Sequence, residues 1–162
     1  MRGDPKIKAV HDVRAAHASI GDAVKGEREA VIAARNVGVS WQRIADAIGT
    51  TQPYVSRKYG PLPAPPGKPD PEAADAAVAR VAAARKAILD AEMKEIEAVA
   101  AARAVGVAWS AIATEVEMEQ PNAFVKYRQY ITEEVEVSVS VRADAADLLR
   151  ERRIPRASKS KA

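Results

Sequence analysis

The sequence predicts a mainly α protein made of two tandem units, each a long helix followed by two short ones, with a short β-strand and a helix near the C-terminal end. Three observations carry that expectation. The stretch Glu27–Gly60, EREAVIAARNVGVSWQRIADAIGTTQPYVSRKYG, recurs without a gap as EIEAVAAARAVGVAWSAIATEVEMEQPNAFVKYR over Glu95–Arg128, and about half of the aligned positions are identical. Apolar residues in both copies recur at spacings of three and four, the period of an amphipathic helix. A proline-rich segment, GPLPAPPGKPDP, lies between the copies and cannot sustain a helix. The expected division is therefore 1–60 for the first long helix and its short pair, 61–69 for a linker and 70–131 for the second set. Residues 132–153 follow as a strand–helix element, and 154–162 as a basic disordered tail.

Asp4 and Pro5 suit the cap and first turn of the opening helix. Val10, Val13, His17, Ile20, Val24 and Val31 then follow a spacing close to a coiled-coil seam. Gly21 and Gly26 weaken this helix and leave a break open in the first copy only. In the second copy Asp70-Pro71 opens the equivalent helix, and Val78, Val81, Ile88, Ile96 and Val99 continue one face. Trp41, Ile44, Ala45 and Ile48 define the first short helix, and Gly49 supplies the left-handed residue that ends it in a sharp turn. Thr50 and Thr51 are candidate N-caps for the next helix, Pro53 fits its first turn, and Val55 and Tyr59 mark its inner face. Two short helices joined by a glycine turn form a helix-turn-helix.

With those residues in view, VSWQRIADAIGTTQPYVSRKY resembles the tri-helical DNA-binding domains of bacterial and phage regulators, whose second short helix enters the major groove. The resemblance covers each copy from about Glu27 and Glu95 onward, and it implies a sequence-specific double-stranded DNA-binding protein, a transcriptional regulator acting as a repressor. The residues of the first copy suit that role. TQPYVSRKY contains no acid. Gln52 is able to bond an adenine edge and Arg57 a guanine, with Tyr54 and Ser56 projecting to the same groove. Thr50, Thr51 and Lys58 suit phosphate oxygens, and Arg43 is a candidate backbone clamp.

The second copy departs from this pattern. Glu117 stands where the first copy has Gly49, Glu119 replaces Thr51, and Phe124 and Val125 replace Ser56 and Arg57. Gln120, Asn122, Lys126 and Arg128 remain capable of contacts. The second copy is thus either a weaker DNA contact or a protein-binding surface. The competing reading of the whole chain is an architectural or assembly protein for partition, packaging or the nucleoid, coating DNA with low specificity.

Beyond the repeats, Val135, Val137, Val139 and Val141 alternate with Glu134, Glu136, Ser138 and Ser140, a strand pattern with no second strand in the chain to pair with. A homodimer through a two-stranded ribbon is the simplest partner for it. A helix or a loose arm is the alternative there. Asp144 is positioned to cap a short helix reaching Arg150.

Composition bounds the rest. The 162 residues carry a net charge of only +3, with a pI near 9.2, so charge distribution matters more than the sum. The absence of cysteine removes disulfides and thiolate metal sites. His11 and His17 do not share a face in the manner of a metal pair, and Trp41 and Trp109 suit core packing. No nucleophile–base pair, phosphate-cradling loop or paired carboxylates stand out. The expectation is a non-enzymatic protein with no cofactor or metal, no membrane segment, and a cytoplasmic, nucleoid-associated location. The alanine- and arginine-rich composition suits a high-GC bacterium, or a phage or plasmid living in one.

Overall fold

A computed structural model describes residues 3–63 and 67–131 and is mainly α. Its helices are α1 (Pro5–Asn36), α2 (Trp41–Ile48), α3 (Gln52–Tyr59), α4 (Pro71–Ala104), α5 (Trp109–Glu115) and α6 (Gln120–Arg128). No strand occurs among the described residues. The expected strand with Val135, Val137, Val139 and Val141, the helix after it and the basic tail all lie outside them. Among the described residues no helix is long and apolar enough to cross a membrane.

Helix α1 runs unbroken through Gly21 and Gly26, and no side chain or backbone crowds either glycine. Asp4 begins it by accepting the Lys6 N–H at 2.8 Å, and Asp70 does the same for Glu72 at 3.3 Å ahead of α4. Both long helices end alike: Gly38 (φ 86°) and Gly106 (φ 82°) take the left-handed conformation. The next N–H groups, of Val39 and Val107, then reach back 3.0 Å to Ala34 and Ala102.

Two compact units result. They divide the chain within the long helices, at Arg14–Ala15 and Glu95–Ile96, rather than at the linker. The α2–α3 unit spans Ala15–Glu95. Its core joins Val31 and Ala34 of α1, Ile44 and Val55 of the short helices, and Ala74 and Val81 of α4. Within this unit α1 and α4 run antiparallel, since His17 meets Glu95 at 2.6 Å and Glu27 meets Arg85 at 3.6 Å. Val24 lies on the expected seam yet is 44% exposed.

The α5–α6 unit takes the described residues of Met1–Arg14 and Ile96–Ala162. Its core is assembled the same way, from Val99 and Ala102 of α4, Ile112 and Ala123 of the short helices, and Ala9 and Val13 of α1. Residues 68 apart do the same work in the two units. Val31 and Val99, Ala34 and Ala102, Ile44 and Ile112, and Val13 and Val81 are each buried. Every fully buried valine or isoleucine contributes roughly 1.5–3 kcal/mol, so the repeated positions supply most of the driving force.

A cation and an indole brace both units. Arg35 is buried and donates to the Val39 carbonyl (2.8 Å) and the Leu62 carbonyl (2.8 and 3.0 Å), with its guanidinium 4.5 Å above the Trp41 ring. Arg103 donates to the Val107 carbonyl at 2.9 Å and lies 4.7 Å above Trp109. Both tryptophans therefore pack as anticipated, and each also serves as an arginine platform.

The turn between the short helices is built in a similar way on different residues. Gly49 (φ 80°) donates to Ala45 and Asp46, and Thr50 donates to Ala45 at 3.0 Å. In the other unit Glu117 adopts φ 53°, and Met118 donates to Ala113 at 2.9 Å. Glu117 is the one non-glycine residue with positive φ among those described. Left-handed backbone costs such a residue about 1–2 kcal/mol. Glu117→Gly is accordingly expected to raise stability by roughly 1 kcal/mol in chemical denaturation, and Gly49→Glu to lower it by a similar amount. Because a Cβ at Gly49 meets nothing within 4 Å, that loss includes no clash at Cβ.

Candidate nucleic-acid interface

The face that α3 offers to solvent is decided on its other side. Val55 and Tyr59, four residues apart, are 0% and 8% exposed. The Tyr59 hydroxyl donates to the carboxylate of Glu27, which is wholly buried on α1. Lys58 Nζ sits 3.3 Å from the same carboxylate, and Arg85 of α4 sits 3.6 Å from its second oxygen. A buried carboxylate needs such partners to stay charged. The cluster ties α3 to both long-helix segments of its unit, fixing the roll of α3 about its own axis. Burial, and after it the hydrogen bond to Glu27, push the Tyr59 hydroxyl well above its ordinary pKa.

With that roll fixed, Thr51, Tyr54, Arg57 and Lys58 are exposed, and Thr50, Gln52 and Ser56 are half-buried. Thr51 holds the N-cap position in extended conformation and its hydroxyl makes no capping hydrogen bond. Pro53 stands in the first turn as expected. Ser56 Oγ and Arg57 Nε both donate to the Pro53 carbonyl, at 3.2 and 3.1 Å, which steadies them along the helix. Tyr54 is 48% exposed, enough for its ring and hydroxyl to meet a ligand.

Two of the anticipated phosphate contacts already have partners. Arg43 pairs with Asp75 of α4 at 2.6 Å. Lys58 is drawn to Glu27 and lies 5.1 and 5.9 Å from the Tyr59 and Tyr54 ring centres. The exposed Arg43–Asp75 pair contributes about 0–1 kcal/mol and exchanges readily for another anion. Sequence reasoning passed over Glu27 and Arg85. The signal was an acid recurring, as Glu95, inside an otherwise apolar stripe.

In the α5–α6 unit Gln120, Asn122, Lys126 and Arg128 are all exposed. Lys126 and Arg128 lie 4.7 and 5.2 Å from the Tyr127 and Phe124 ring centres. Phe124 is half-buried and meets Trp109 edge to face, with ring centres 5.4 Å apart, so it belongs to the packing more than to the surface. Val125 is 74% exposed, and the carboxylates of Glu117 and Glu119 are exposed beside the turn. Among the described residues no cluster of three or more histidine, cysteine or acidic side chains is placed to hold a metal ion.

The two surfaces therefore differ in kind. One offers amide, hydroxyl and cationic groups without an acid on the helix, and the other offers an apolar residue between acids and cations. Comparison with protein-family models, curated proteins and solved structures returns no match to this chain.

Proposed function

We propose that the chain is a sequence-specific double-stranded DNA-binding protein, a transcriptional repressor whose α2–α3 pair is a helix-turn-helix with α3 as the recognition helix. The observation that carries this reading is the outward face of α3. It holds Thr51, Gln52, Tyr54, Ser56 and Arg57 at or near the surface, has no acid on the helix, and is held in one orientation by Val55, Tyr59 and Glu27. Gln52 and Arg57 match adenine and guanine edges, while Thr50, Thr51, Lys58 and Arg43 reach phosphates once Arg43 leaves Asp75. The α5–α6 pair, a diverged second helix-turn-helix, is assigned to a protein partner on the strength of Val125, Glu117 and Glu119. A homodimer through Val135–Val141, proposed from sequence alternation alone, would double the recognition helices on an inverted-repeat site.

Selection from a random duplex library at physiological salt, followed by binding to the enriched site and to scrambled DNA, tests the proposal. A specificity ratio of roughly 10³ or more is expected. Uniform weak binding would support the architectural reading, in which phosphate contacts alone hold the DNA. Arg57→Ala is expected to weaken binding to the selected site by about 1–3 kcal/mol and to relax preference at one base pair. Val125→Ala, at the equivalent place in the other unit, should change DNA affinity by less than about 0.5 kcal/mol; a loss like that at Arg57 would reverse the ranking of the two units. Truncation from Glu133 onward is expected to leave a monomer in analytical ultracentrifugation, and a dimer there would move the interface elsewhere.

Alkaline titration reports on the device that orients α3. The Tyr59 pKa is raised above its ordinary value of 10.0, so the proton binds more tightly in the folded state. The resulting stability is fully present below about pH 10 and is lost as pH rises towards the folded value. Tyr59→Phe should cost about 1–3 kcal/mol at neutral pH and flatten the alkaline loss of stability. An unchanged alkaline profile would show that Tyr59 does not carry it.

A further inference from the structure

We propose that the α5–α6 unit contains a binding site for a small organic anion with an apolar body. The site is a groove of about 400 Å³ between the first turns of α1 and the start of α5, within the roughly 300–1,000 Å³ typical of small-molecule sites. Ile7, Val10, Val107 and Ala111 give it an apolar lining, Lys6 adds an ammonium group and His11 an imidazole. Ile7 is 60% exposed, a large apolar side chain left at the surface beside this groove.

The other unit shows how the groove arises. Counting 68 residues on, Ile7 corresponds to Asp75, Ala111 to Arg43, and Gly106 to Gly38. The same register matches the buried pairs Ala9 with Ala77 and Val13 with Val81. In the α2–α3 unit Arg43 and Asp75 meet at 2.6 Å, so an ion pair spans the equivalent place. Pro69 also lies over Gly38, so near that a Cβ added there would stand 3.1 Å from it. In the α5–α6 unit both members of the ion pair are replaced by apolar residues, and a Cβ added at Gly106 would meet only the end of the Lys6 side chain, 3.6 Å away. The ion pair present in one unit is absent from the other, and apolar side chains take its place.

Charge selects the ligand class. Arg14 also lines the groove, but it donates to both Glu115 oxygens, at 2.5 and 2.9 Å, and is neutralised there. That contact holds the Glu115 carboxyl below its ordinary range. Asp4 accepts the Lys6 backbone N–H. The Lys6 ammonium has no ion pair among the described residues. An anion with an apolar tail would pair with Lys6 and cover Ile7, Val10 and Ala111. A neutral or cationic ligand of the same shape would forgo that pairing.

The test is a titration of the ¹⁵N-labelled full chain with octanoate, octan-1-ol and octylamine. Saturable octanoate shifts confined to the amides of Ile7, Val10, Val107 and Ala111 are expected, with the alcohol and amine binding roughly tenfold more weakly or less. Lys6→Gln should reduce octanoate affinity by a similar factor and leave octan-1-ol unaffected. Ile7→Asp with Ala111→Arg transplants the ion pair of the other unit and should abolish binding. Equal affinity for octanoate and octan-1-ol, or shifts spread along the chain, would overturn the proposal. So would full octanoate binding by the folded double variant. If that variant does not fold, the Lys6→Gln comparison decides alone. None of these readouts involves α3 or DNA, so the site stands or falls apart from the DNA-binding reading.

Discussion

A pair of short helices following the last turns of a longer one has more apolar surface than it is able to cover. Each short pair here packs against the end of its own long helix and also against a segment supplied by the other long helix. Val81 of α4 belongs to the α2–α3 core, and Val13 of α1 belongs to the α5–α6 core, both fully buried. The constraint is size: a segment of about 35 residues falls below the roughly 40-residue length at which a domain sustains itself without further help. Alanine sharpens the constraint, because it buries little area per residue while letting helices approach closely. This is why both compact units divide within α1 and α4. Neither sequence repeat holds a complete core of its own.

Small apolar side chains specify orientation poorly, and buried polar groups supply what they lack. In the α2–α3 unit Glu27 meets Tyr59 from α3 and Arg85 from α4, so one carboxylate indexes three helices against each other. Such a cluster is weak evidence for net stability, since desolvation offsets much of the attraction. Its effect on geometry is firmer. A rotation of α3 that brought Arg57 inward would strand a charge and remove Tyr59 from Glu27 at the same time. Arg35 acts similarly on the loops, holding the Val39 and Leu62 carbonyls while lying on Trp41. The outward face of α3 is thus a consequence of what is buried beneath it.

Much of this was legible in the chain. Trp41, Ile44 and Ala45 with Gly49 and Pro53 mark α2, the turn and α3, because local periodicity and backbone preference decide those elements. Glu117 in place of Gly49 marks a strained turn, and its φ of 53° agrees. What local signals omit is the identity of distant partners. Arg43 and Lys58 read as free cations, but their acids lie on other helices, 32 and 31 residues away in sequence. Val24 fits the seam by spacing yet stays 44% exposed, because spacing names a face without naming what covers it. Phe124 replaces the polar Ser56 and yet is half-buried, because its partner Trp109 lies on the preceding helix.

The two units share interiors and differ in exteriors, and this locates where their roles separate. Glu27 and Glu95, Arg35 and Arg103, and Tyr59 and Tyr127 are the same residues, buried in both settings. Arg57 against Val125, Arg43 against Ala111 and Asp75 against Ile7 are changes at positions on or near the surface. None of them disturbs a buried contact that the scaffold needs, so each unit was free to present different chemistry on one framework. In the α2–α3 unit the exposed set is cationic and hydrogen-bonding, suited to a phosphate-lined groove. In the α5–α6 unit the same register replaces an ion pair with two apolar side chains and leaves Lys6 beside them. A scaffold that tolerates this exchange without moving its core is able to present two surfaces of different chemistry in a single chain.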